Sequence, residues 1–181
     1  MIEDINCNCA SPPIQENQSG NDGSVVLNVN GDLVYFYLQM KIKLNINDII
    51  EVKEKFVKMI SYNLLEYARA NVNSEEVNYN NVHMILYVWG LEQQNFSDIF
   101  PKESFSPIDD QMKKLVNEQF SNIKKENERT LPSGFDEEII INYMNDHWDH
   151  FHFVGEDKMQ TWLSPSFLSF PMLATLLDEK N

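Results

Sequence analysis

The stretch NDHWDHFHF, residues 145–153, sets His147, His150 and His152 beside Asp146 and Asp149. Imidazole and carboxylate are the groups of acid/base catalysis and of metal ligation, so those are the two chemistries to weigh. On a helix Asp146 and His150 are four apart and share a face, which sets a carboxylate against an imidazole. The motif is not HExxH, because His147 and His150 are three apart and neither Glu nor Gln stands between them. If residues 150–153 are extended, His150 and His152 share a face instead, and the three rings do not converge on one ion. The remaining histidine, His83, lies in an apolar run and reads as a hydrogen-bonded core residue. No metal and no cofactor is expected. Trp148, Phe151 and Phe153 should pack inward, with the histidines and aspartates on a solvated rim.

Other reactive constellations are lacking. The chain has no Gly-rich phosphate loop and no GxSxG elbow. Cys7 and Cys9, the only cysteines, stand in a polar segment, too close for an unstrained disulfide and too few for a zinc site. They read as reduced thiols. An enzyme is not expected, and no catalytic residue is assigned.

The charge is more informative. The chain carries 28 acidic residues against 14 basic ones, a formal net charge of −14, where about 2 to 8 in magnitude suffices for solubility. A field of that sign repels nucleic acid and anionic lipid and attracts basic proteins. Direct binding to nucleic acid or to a membrane is therefore not expected. The excess is graded along the chain: from residue 131 onward nine acids face only Lys158 and Lys180, a net of −7. Over residues 47–73 four acids meet four bases and the sum is zero. Such grading suits an interaction surface. The candidate partner-binding residues are Asp136, Glu137, Glu138, Asp146, Asp149, Glu156 and Asp157, with Trp162 as an aromatic anchor and Trp148 as a second one in the alternative that it faces the partner and not the core. For Asp136, Glu137 and Glu138 a purely structural role also exists, since acids in a first helical turn complement the helix dipole.

These features lead to the expectation of a cytosolic inhibitor that neutralises a basic partner. An immunity protein covering the cationic active site of a toxin nuclease is the most specific form of it. The alternatives are a DNA mimic that blocks a nucleic-acid-binding complex, and a metal-dependent hydrolase using the 146–152 cluster through His147, Asp149 and His150. The N-terminus opens with acids where a secretory signal carries Lys or Arg, and no run of 18 apolar residues occurs, so a cytoplasmic location is expected.

The elements that must position these residues are legible in outline. Residues 1–23, with Pro12, Pro13, Gly20 and Gly23 among Asn, Gln and Ser, read as a flexible arm; 24–181 reads as one α+β domain. Asn30-Gly31 between two alternating runs predicts a hairpin with a type I′ turn, pairing Val25 with Phe36, Leu27 with Val34 and Val29 with Asp32. The aliphatic face of this hairpin should meet the core, leaving Tyr35, Tyr37 and Gln39 on a face open to solvent or a partner. Asp48 should cap a long amphipathic helix, and residues 82–88 should form an interior strand. Ser106-Pro107 should open a helix reaching 127, and further helices should span about 136–149 and 170–179, with a short strand after the first of these. The expected fold is thus a mainly antiparallel sheet, led by the N-terminal hairpin and packed by about four helices.

Overall fold

The computed structural model describes residues 2–8, 23–41, 48–73, 77–88, 108–128 and 130–154. Within them the hairpin forms as its turn chemistry requires. Strands β2 (Gly23–Val29) and β3 (Asp32–Lys41) pair antiparallel, with Val25 opposite Phe36, Leu27 opposite Val34 and Val29 opposite Asp32. Asn30 and Gly31 take positive φ angles of 56° and 94°, the left-handed values that a type I′ turn needs at both central residues. The Gly31 N–H donates to Asn28 Oδ1 at 2.9 Å.

The flexible arm expected over residues 1–23 contains a strand. β1 (Ile2–Asn8) pairs antiparallel with β2 and places Cys7 opposite Val25. Its Asn-rich composition concealed it, because a strand at the end of a sheet needs backbone pairing more than apolar side chains.

The sheet is mixed, not mainly antiparallel. Among the described residues five strands run in sequence order: β3 pairs parallel with β4 (Val82–Val88), and β4 parallel with β5 (Phe151–Val154). The cause lies in the connections, since parallel neighbours require a crossover of a dozen or more residues, usually helical. Helix α1 (Ile49–Ala70) supplies the first crossover, and α2 (Asp110–Glu126) with α3 (Glu137–Asp146) lies in the second. The described residues thus hold three α-helices, and the helix expected near 170–179 lies outside them.

Asp48 caps α1, its carboxylate accepting from the N–H groups of Ile50 and Glu51 at 3.1 Å each. The cap of α2 is Asp109, not Ser106: the Asp109 carboxylate accepts from Met112 N at 2.8 Å. Ile108 is buried just before this cap, and its N–H donates to Asn145 Oδ1 at 3.1 Å. The cap is thereby tied to the end of α3.

Both faces of the sheet are buried at its centre. The helices pack on the face that carries Tyr35 and Tyr37 of β3, Val82, Met84 and Leu86 of β4, and Phe151 of β5. That is the face expected to meet solvent or a partner, and the reason for the difference is the position of β3 inside a mixed sheet. Val25, Leu27, Phe36, Leu38 and Ile85 are buried on the opposite face. Helix α1 lies between the sheet and α2, and its Phe56, Ile60, Leu64 and Leu65 are each at most 2% exposed. Arg69 ties the ends of α1 and α2, donating to Asn127 Oδ1 at 2.6 Å and Thr130 Oγ1 at 3.0 Å.

One core position breaks the pattern. The Asn63 side chain is wholly buried, and among the described residues neither its Oδ1 nor its Nδ2 has a hydrogen-bond partner. Leaving a buried amide unpaired costs about 1–3 kcal/mol. Asn63→Leu, of similar shape, should therefore raise the unfolding free energy by roughly that amount. Urea denaturation checks it: a lower midpoint in the variant would show that the amide is needed.

Candidate functional site

Helix α3 begins at Asp136, whose side chain caps it by accepting from Ile139 N at 3.2 Å. Glu137 and Glu138 fill its first turn. The helix stops at Asp146, three residues short of the expected end near 149, and His147 takes non-helical angles there. A single 3-10 turn, Trp148–His150, follows, closed by His150 N–H donating to His147 O at 3.0 Å. In a 3-10 turn residues i and i+3 eclipse, so the His147 and His150 rings stack, with centroids 4.9 Å apart and planes at 25°. The expected contact between Asp146 and His150 needed one more helical turn. Instead the carboxylate within reach of His150 is that of Asp149, with Oδ2 3.8 Å from Nε2.

His83 joins them. Parallel pairing of β4 with β5 sets Ile85 beside His152 and leaves His83 diagonal to it on the same face. His83 Nδ1 stands 3.0 Å from His152 Nε2, and the His83 ring stacks on His150 with centroids 4.1 Å apart and planes at 13°. All four histidines of the chain therefore form one row: 147, 150, 83, 152. The bond between His83 and His152 needs one donor and one acceptor, so it exists only while at least one ring is neutral. His152 is buried at 5% exposure and not on a solvated rim.

A single carbonyl holds the row in place. Val82 O accepts from the Tyr143 hydroxyl at 2.5 Å and lies 3.1 Å from His150 Nδ1. A backbone carbonyl has two lone pairs, so both contacts can be made at once. Burial pushes the Tyr143 phenol well above its usual range, and the Asp149 charge adds to the effect. Tyr143 thus remains a neutral donor.

Trp148 faces the core. Its ring is half-buried against Phe56 and Phe151, at centroid distances of 5.8 and 5.5 Å. Asp136, Glu138, Asp146 and Asp149 are exposed and Glu137 is partly so, whereas Glu156, Asp157 and Trp162 lie outside the described residues. From Thr130 to Val154 there are five carboxylates and no Lys or Arg. A cleft of about 520 Å³ runs along α3, with Asn78, Tyr79 and Asn80 on one side and Asn142, Tyr143, Asp146 and His147 on the other. The Tyr79 phenol is pushed up to about 12, by burial first and then by the charges of Tyr67 and Asp136.

No family model, curated protein or solved structure matches this chain. What the site can do rests on its own chemistry. Exposed carboxylates, side-chain amides and phenols around a cleft recognise cations, and the neighbouring imidazoles add ligand atoms. His147, Asp149 and His150 each bring one such atom within 4.8 Å of the others. Residue spacing concealed His83, Val82 and the Asn78–Asn80 wall, since only strand pairing and helix packing bring them to α3. No helix among the described residues is long and apolar enough to cross a membrane.

Proposed function

We propose that this protein is an acidic binding protein of the cytosol that neutralises a basic partner, in particular an immunity-type inhibitor that covers the cationic active site of a nuclease toxin. On this reading it is not an enzyme. The observation that carries the reading is the cleft along α3, which joins Asp146 and the amides of Asn78, Asn80 and Asn142 to the ring of Tyr79. A guanidinium or ammonium group finds there a charge partner, hydrogen-bond acceptors and an aromatic ring. The described residues that line the cleft include no Lys or Arg to compete for them. Exposed Asp136 and Asp149 extend the negative field beyond the cleft, which favours fast capture of a cationic surface.

Affinity capture with the full chain followed by mass spectrometry tests the reading. The expected partner is a small protein rich in Lys and Arg, whose association rate falls by about 10- to 1,000-fold from low to high salt. Asp146→Lys should reduce that rate at low salt, and Asp146→Asn should reduce it less. An acidic partner or a salt-independent rate would remove the reading, and a large DNA-binding assembly would favour a DNA mimic instead.

A further inference from the structure

We propose that His147, Asp149 and His150 bind a divalent transition-metal ion, with Zn²⁺ the best match. Two imidazoles and one carboxylate are a ligand set of that softness. The 3-10 turn gathers them by its own geometry, since it eclipses His147 with His150 and keeps Asp149 beside them. Their ligand atoms lie within 4.8 Å of one another, and His150 Nε2 is 3.8 Å from Asp149 Oδ2. Bonds of about 2.0–2.1 Å in a tetrahedral site put ligand atoms roughly 3.3 Å apart, so small side-chain rotations close the set.

The orientation of His150 is the second, independent observation. Val82 O can only accept, so the His150 nitrogen facing it, Nδ1, donates at 3.1 Å. In the neutral ring Nε2 then carries the lone pair, and Nε2 is the nitrogen turned toward Asp149. A ring whose far N–H is held by a backbone carbonyl is the usual state of a metal-bound histidine. The His83 ring, stacked at 4.1 Å, holds His150 from the sheet side. Asp149 is 68% exposed at its side chain against 16% for His150, so the anchored ligand is His150 and the adjustable one is Asp149. Three protein ligands leave the fourth position of a tetrahedral ion to water or to a partner's side chain. The site does not depend on a basic partner being bound.

Untagged full-length protein, stripped with a chelator, should bind one Zn²⁺ per chain in calorimetry. Co²⁺ in its place should give the intense visible bands of tetrahedral coordination, which requires no variant at all. His147→Ala, His150→Ala and Asp149→Asn should each weaken Zn²⁺ by at least about 10–100-fold, while Cys7→Ser/Cys9→Ser leaves it unchanged. Should His150→Ala fail to fold, the half-buried His147 and the exposed Asp149 still carry the comparison. A Co²⁺ spectrum of the aqueous ion, affinity insensitive to His147→Ala and Asp149→Asn, or binding lost with the cysteines would each overturn the proposal.

Discussion

Phe56→Ala should destabilise the protein by about 3–5 kcal/mol, the range for emptying a fully packed aromatic site. Phe56 is 2% exposed and is the point at which α1 meets the site-bearing segment: its ring lies 4.9 Å from Phe151 and 5.8 Å from Trp148. Phe151 also meets Tyr143 edge-on at 5.6 Å and Trp148 at 5.5 Å, so four rings share one contact region. Removing one leaves a cavity whose lining cannot collapse, because β5 is fixed by its pairing with β4 and Tyr143 by its bond to Val82 O. Phe56→Leu keeps most of the volume and should cost less than about 1.5 kcal/mol. In a domain of this size each kcal/mol moves the melting temperature by roughly 2–4 °C, so calorimetry separates the two variants. Equal melting temperatures for Phe56→Ala and the parent would show that Trp148 and Phe151 do not rest on α1.

Raising the pH above 10 should unfold the protein cooperatively. Tyr37 and Tyr143 are 6% and 2% exposed, and burial raises both phenols far above their ordinary value. Nearby negative charge adds to this, from Glu66 at Tyr37 and from Asp149 at Tyr143. The folded state therefore favours the neutral phenol. In the unfolded chain each ionises near 10, so this contribution is intact below pH 10 and is lost as pH climbs toward the raised folded values. Each group takes away up to about 1.4 kcal/mol per pH unit above 10. By pH 12 the pair removes roughly 5 kcal/mol, comparable to the whole stability of many domains. Tyr62, Tyr67 and Tyr79 are shifted in the same direction. Tyrosinate absorbance and circular dichroism should therefore change together in one steep step. Ionisation of all seven tyrosines near pH 10 with the fold retained would contradict the burial of Tyr37 and Tyr143.

The elements legible in the chain are those whose causes are local. Asn30-Gly31 specifies its turn because few other residue pairs tolerate two left-handed conformations. Asp48 specifies the start of α1 because its carboxylate reaches N–H groups two and three residues on. The start of α2 was not legible in this way: Ser106-Pro107 has the composition of a cap, yet the helix is capped by Asp109, and burial of Ile108 with its bond to Asn145 goes with that start. Strand direction was likewise hidden. An apolar run such as Val82–Val88 looks the same whether its neighbour is parallel or antiparallel, and the crossovers through the helices decide which.

Composition by itself determined that the protein is acidic, that its last third is the most acidic part, and that His147, Asp149 and His150 are neighbours in the chain. Tertiary structure decided what that neighbourhood is. A helix ending at Asp146 rather than three residues later turned i,i+4 geometry into a 3-10 turn, and so exchanged Asp146 for Asp149 as the partner of His150. The register of β4 against β5 brought His83 across 69 positions to His152, and Val82 O across 68 to His150. Local spacing sets which groups a turn can gather, but contacts at such separations arise only from strand pairing and packing, which no short stretch of sequence encodes.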